Sequence, residues 1–289
     1  MTSADTVTTM TAAPATPARS PRPAHSAVPR YVRPPASRVL AMPAGVWRLI
    51  LILAFFGGVE VLAQSGAVPR LSLVPVSEMA IQAGELLADS EFLVNDLLRS
   101  TGIVVISFVV ASVLGVAIAY LMWRSATVRS ALEPYLSVFY AVPTFAVYPI
   151  LVVLFGVGVW PIVVLASTFS IVVVILNALA GFDSVPEVVG KLERSLKLTR
   201  WQSFRLILLP SAMPDIAAGV KLCMAYSVIA TLAMEFILAS DGLGNFIANA
   251  YDSFAVAEMY GAILIVGVLA LVANLGISAA LNRLDWRRR

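Results

Sequence analysis

Residues 184–214 read SVPEVVGKLERSLKLTRWQSFRLILLPSAMP, and the reading of this stretch decides the fold. It carries five cations (Lys191, Arg194, Lys197, Arg200 and Arg205) and two acids (Glu187 and Glu193) inside a chain that is 60% hydrophobic. Two helix-start signatures lie in it, Ser184-Val-Pro-Glu187 and Thr199-Arg-Trp-Gln202. In each, a hydroxyl and a carboxylate or amide three residues later can satisfy backbone N–H groups that a helix leaves open at its start. Pro186 falls in a first turn, where its missing N–H costs nothing, and Pro210 and Pro214 are expected to close the segment. Two capped helices between long apolar stretches imply a surface for them to touch.

Only 13% of the 289 residues are charged and the mean hydropathy is +0.89, against about 25% charged in an ordinary soluble domain. The apolar residues fall into runs long enough to cross a hydrocarbon core of ~30 Å, rather than the short alternating segments of a membrane barrel. The chain therefore reads as an all-α polytopic membrane protein. A single cysteine, Cys223, excludes an internal disulfide and a cysteine-based metal centre. The single histidine, His25, lies in the polar N-terminal region, so paired-histidine haem ligation and a histidine triad are excluded from the spans. No Gly-x-x-x-x-Gly-Lys-Ser/Thr motif is present, so the chain is not expected to hydrolyse ATP or to bind a cofactor.

Residues 1–42 are rich in Ala, Pro, Ser and Thr and read as a disordered tail; residues 43–289 read as one transmembrane domain. Six spans are expected, at about 47–63, 101–123, 135–155, 159–180, 216–238 and 259–282. The first resembles a signal peptide at Val61-Leu-Ala63, but the polar region ahead of it is far longer than a normal n-region. With both termini in the cytoplasm, 17 of the 20 Lys and Arg residues fall on the inner side, in agreement with the positive-inside rule. Lys221 lies near the inner end of the fifth span, where its amine reaches the interface. Segment 184–214 is then cytoplasmic. The outer loop 64–100 is expected to hold one amphipathic helix around Val76–Leu98. Trp47, Trp160 and Trp286 lie near span ends as interfacial anchors.

From about Leu87 to Leu275 the chain resembles the inner-membrane permease subunits of binding-protein-dependent ABC importers, in the nitrate/sulfonate/taurine-type branch. The landmarks, in order, are Ala141-Val-Pro-Thr-Phe-Ala-Val-Tyr-Pro149, Leu154-Phe-Gly-Val-Gly158, Asn177 with Gly181, Arg200-Trp-Gln-Ser-Phe204, Leu209-Pro210, Met213-Pro214, Glu235 and Gly242-Leu-Gly244. The resemblance implies a bacterial inner-membrane protein that works with two ATPase subunits, which use the ATP. It also implies a second permease copy or paralogue and an extracytoplasmic solute-binding protein. The loop 184–214 would insert a coupling helix into the ATPase. The residues expected at that contact are Val188, Lys191, Leu192, Glu193, Leu196, Lys197, Arg200 and Trp201. Val188, Val189, Leu192 and Leu196 are spaced for one helical face.

The family's Glu, Ala and Gly in this loop correspond here to Lys191, Glu193 and Lys197. Without the glycine, the first loop helix either runs longer or holds Lys197 in a left-handed conformation that costs about 1–2 kcal/mol. The acid-first pairs Glu187/Lys191 and Glu193/Lys197, each worth ~0.3–0.5 kcal/mol, favour a longer helix.

Four residues are candidates for the translocation path: Pro143, Asn177, Glu235 and Asn274. Glu235 is an ionisable group in an apolar span, near its outer end, which marks function by default; packing or gating is the alternative. Asn177 and Asn274 fit interhelical hydrogen bonding better than solute contact, and Pro143 and Pro149 are expected to kink the third span. Gly242 and Gly244 suit a tight turn before a re-entrant segment at 243–251. The Arg287–Arg289 tail lacks interleaved aromatics and fits lipid headgroups rather than nucleic acid. A self-sufficient secondary transporter or channel is the competing reading, in which 184–214 is only a connection.

Overall fold

The computed structural model describes residues 44–139, 144–185 and 198–284, and among them all regular structure is helical. The chain divides into two compact units, Met1–Leu51 and Ile52–Arg289. Of the first, only the opening turns of α1 are described; α1 spans Ala44–Gln64. In the second, α2 spans Val76–Ala88, α3 Ser90–Arg124, α4 Ala126–Phe139, α5 Tyr148–Phe155 and α6 Val159–Asp183. They are followed by α7 at Trp201–Leu238, α8 at Leu243–Asp252 and α9 at Val256–Leu284.

Three of these, α3, α6 and α7, pack as the core, and small residues explain how closely. Ser107, Ala111, Gly115 and Ala119 recur every fourth position on α3, and all are buried, the pattern that lets two helix backbones approach within a bilayer. A Cβ added at Gly115 would lie 2.7 Å from the Cβ of Val174 on α6, and one at Gly219 on α7 would lie 2.7 Å from the Cβ of Asn177. At one end of this trio Met122, Phe182, Leu208 and Ile216 form a buried cluster. Ile103, Tyr148, Ile162, Leu165 and Met234 form a second cluster.

Among the described residues, five helical stretches are long and apolar enough to cross a membrane: Gly45–Gln64, Ser90–Arg124, Val159–Asp183, Trp201–Leu238 and Val256–Leu281. The span expected at 135–155 is not one helix. Helix α4 is described as far as Phe139, a 3-10 turn occupies Thr144–Val147, and α5 begins at Tyr148 with Pro149 in its first turn. A proline further inside would delete a helical hydrogen bond and clash with the carbonyl four residues back, so the helix restarts where that N–H is not needed. Pro143 lies outside the described residues.

Two other expectations are corrected. The helix expected over 76–98 is interrupted at Asp89, which takes an extended backbone and caps the next helix by accepting the Glu91 N–H at 2.9 Å. Pro210 and Pro214 do not close the loop; helix runs through both, from Arg200 to Leu238. The π-helical turn Phe204–Leu208 comes just before Pro210, with the Leu209 N–H donating to the Phe204 carbonyl. The wider turn shifts the hydrogen-bond register immediately ahead of the prolines, and the helix continues through them.

Candidate functional site

The two ends of α7 carry the polar features of the core. At the first, Thr199 and Gln202 form the capping box expected from sequence: the Gln202 N–H donates to Thr199 Oγ1 at 3.3 Å and the Thr199 N–H to Gln202 Oε1 at 2.9 Å. Behind it stands an aromatic cluster. Phe204 packs edge-on to Tyr120 at 4.6 Å between ring centroids and stacks on Trp201 at 5.8 Å, while Tyr120 meets Phe182 at 6.1 Å. Trp201 is nevertheless 66% exposed, and with Val113, Val116 and Tyr120 it borders a groove of about 480 Å³. Arg129 on α4 ties this end to α6 through Asp183 at 3.0 Å.

The Ser184 hydroxyl donates back to the Gly181 carbonyl at 2.8 Å at the end of α6; Glu187, its expected capping-box partner, lies outside the described residues. The expected contact residues Val188, Lys191, Leu192, Glu193, Leu196 and Lys197 lie outside the described residues, as does the question of how the first loop helix ends. Arg200 opens the helix.

At the other end of α7, Glu235 is fully buried, although its position near the span end suggested access to water. Its carboxylate accepts the Ser100 hydroxyl, at 2.7 and 2.8 Å to its two oxygens, and the Gly244 N–H at 3.1 Å. Ser100 Oγ in turn accepts the Leu243 N–H at 2.8 Å, and Asp96 Oδ1 accepts the Gly242 N–H at 3.0 Å. Three successive backbone N–H groups at the start of α8 are thus held by three side chains, two from α3 and one from α7. These are the donors that a helix start leaves open, and negative charge there is favoured by the helix dipole. Beside them Arg99 forms an ion pair with Asp241, whose carboxylate also accepts the Ser240 hydroxyl at 2.8 Å.

The glycines make this clasp possible. Gly242 has φ +106°, and a Cβ there would sit 2.6 Å from the Glu235 carboxyl carbon; one at Gly244 would sit 2.4 Å from the Leu232 carbonyl oxygen. The tight turn expected at these glycines is present, and a helix, α8, follows it. Asp96, Arg99, Ser100 and Asp241 were not singled out from sequence. Ser100 and Glu235 are 135 residues apart, and no local period connects them.

From Glu235 a line of buried hydroxyls continues along one face of α7, through Thr231 and Ser227. Ser227 donates to Ser170 on α6 at 3.0 Å, and Ser107 donates to the Val163 carbonyl at 3.4 Å. Thr231 and Ser167 have no hydrogen-bond partner among the described residues. Of the other path candidates, Asn177 is half-buried and bonds within its own helix, donating to the Val173 carbonyl at 2.8 Å; Asn274 is exposed on α9. Glu235, Asn177 and Asn274 are not brought together. No group of three or more His, Cys, Asp or Glu residues able to hold a metal occurs among the described residues.

Among known proteins, residues 111–289 match the family described as the binding-protein-dependent transport system inner membrane component. The chain is 29% identical over 181 residues to the taurine transport system permease protein TauC of Escherichia coli (strain K12), covering 63% of this chain and 66% of that protein. It is 30% identical over 183 residues to the nitrate import permease protein NrtB of Leptolyngbya laminosa, covering 59% and 61% respectively. The chain spans about two thirds, or less, of the length of these two relatives. Its fold is similar to a chain of the MetNI methionine ABC transporter in an inward-facing conformation, with TM-score 0.56 and 16% identity, over 66% of this chain and 93% of that one. The landmarks from Ala141 to Gly244, the all-helical core and these matches agree: this chain belongs to the family of binding-protein-dependent transport system inner membrane components.

Proposed function

We propose that this chain is the permease subunit of an ATP-driven importer for a small solute, coupled through the 184–214 loop to separate ATPase subunits that use the ATP. The observation that carries the reading is the continuity of α7. Helix runs from the capping box at Thr199 to Leu238, so its 38-residue stretch reaches about 55 Å at 1.5 Å per residue. A displacement imposed at Trp201 is delivered to the Glu235 clasp and hence to α8. A short loop that only joined two spans would not need a capped, aromatic-buttressed helix start.

In this proposal Glu235 acts on the path by holding α8, because its acceptors are occupied by protein donors. Asn177 sets the contact of α6 with Gly219 of α7. The subunit works with a second permease copy or paralogue, two ATPases and an extracytoplasmic solute-binding protein, in a bacterial inner membrane. Six spans with both termini cytoplasmic are part of the proposal, supported by the placement of Lys and Arg; α4 and α5 together would supply the sixth. Relatives named for taurine and nitrate support a small solute.

Affinity purification of the tagged chain from its own organism tests the reading. The expected result is recovery of an ATPase subunit, lost on Leu192→Asp. Solute uptake by the purified chain alone in vesicles would instead establish the secondary-transporter reading.

A further inference from the structure

We propose that Thr231 and Ser167 are positioning residues for transport: their hydroxyls bond to each other in a second arrangement of α7 on α6, reached when the start of α7 is displaced. This rests on the reading of α7 as the element that carries movement, and adds where that movement is taken up. Helices α6 and α7 run antiparallel, with Asn177 against Gly219 and Ser170 against Ser227. The same register carried one turn further sets Thr231 opposite Ser167. Both residues are more than nine-tenths buried, with exposures of 0% and 7%. The seam therefore has one closed rung, the 3.0 Å bond from Ser227 to Ser170. Beside it is an open rung, in which neither hydroxyl has a partner among the described residues.

A serine or threonine buried on a helix commonly donates to the carbonyl four residues back, as Thr168 beside Ser167 does to Val164 at 2.7 Å. A buried hydroxyl without a partner destabilises the state in which it stays unpaired, so two of them on facing turns need an account. Packing gives none, because valine fills the space of threonine and alanine nearly that of serine without a polar atom to satisfy. The seam is also built to shift. Toward the Thr199 end the two helices meet through Gly181, Ala212 and Gly219, which present no large side chain to interlock. Small sliding of packed helices is a recurrent form of switching. A short shift or turn of α7 that brings Thr231 and Ser167 into bonding distance closes the open rung. Thr231 is one turn from Glu235 on the same helix, so the clasp moves with it. The Ser227 rung favours the arrangement seen here and the Thr231 rung the other, which gives α7 the two discrete arrangements that coupling between distant sites requires.

Thr231→Val keeps the shape and removes the hydroxyl. In the purified full chain it is expected to raise the thermal midpoint by about 2 °C or more, because an unpaired buried group is gone. In the complex purified with its ATPases, with ATP as the probe, it is expected to lower hydrolysis per assembled complex about fivefold, the worth of one hydrogen bond lost from the second arrangement. Ser167→Ala should repeat both effects. Thr231→Ser, which keeps the hydroxyl, should restore hydrolysis. A hydroxyl with a merely structural role, bonded to its own helix or to water, would instead lower the midpoint when removed. A fall or no change in the midpoint of Thr231→Val, unchanged hydrolysis per complex, or failure of Thr231→Ser to restore it overturns the proposal. Each of these leaves ATPase recovery, and with it the importer reading, intact. If no ATPase is recovered with the chain, the importer reading falls and this proposal falls with it.

Discussion

The two ends of α7 solve the same problem in opposite ways. At Thr199 the open N–H groups of a helix start are satisfied locally, by a hydroxyl and an amide three residues apart in sequence. At Gly242 they are satisfied from elsewhere, by Asp96, Ser100 and Glu235 on two other helices. The first arrangement is self-contained and leaves Trp201 free on the surface. The second fastens α8 into the core, so that α8 cannot shift without α3 and α7. A helix with a self-sufficient, exposed start suits docking, and one with a distributed, buried start suits the transmission of movement.

This contrast can be broken most forcefully at Glu235. Glu235→Ala leaves the Gly244 N–H and the Ser100 hydroxyl without an acceptor and opens a cavity, at a cost of about 3 kcal/mol. A lowered thermal midpoint of the purified chain is the expected outcome, and an unchanged midpoint would mean that the clasp does not hold α8. Gly244→Ala drives a methyl against the Leu232 carbonyl and is expected to cost ~2–3 kcal/mol, read in the same melt. The Thr199 end answers less strongly. Thr199→Ala removes the cap and costs about 1 kcal/mol; Thr199→Asn, which can still cap, should restore the midpoint. Trp201→Ala sharpens the comparison most. It should cost the isolated chain only about 1 kcal/mol, the worth of its stacking on Phe204, yet lower solute-driven ATP hydrolysis in the assembly proposed above. If Trp201→Ala instead lowered the midpoint as much as Glu235→Ala, the two ends would not differ in kind.

The corrected elements show where local sequence stops informing. Pro210 and Pro214 read as helix stops because each lacks an N–H, but the π-helical turn Phe204–Leu208 adjusts the register ahead of them, and that turn has no residue signature of its own. Span 135–155 reads as continuous by hydropathy, with a kink expected at Pro149; the 3-10 turn Thr144–Val147 makes it a restart rather than a kink. Asp89 is a further case: the amphipathic stretch around it reads as one helix, and its extended backbone and its bond to the Glu91 N–H appear only in the structure.

Composition and order along the chain determined by themselves that this is a helical membrane protein, which segments are apolar enough to cross, and where the capped loop helix begins. Those properties depend on solvation and on hydrogen bonds between residues within a turn of one another. The family landmarks were also legible, because they are runs of adjacent residues. Only the tertiary structure decided that Glu235 is sealed rather than wet, that Ser100 and Asp96 share its task, and that Gly115 and Gly219 set how closely the three core helices approach. Such features are contacts between residues 100 or more positions apart in several cases. The physical reason is that burial and hydrogen-bond partnership belong to pairs of surfaces, and a residue's own chemistry says only which partners it would accept.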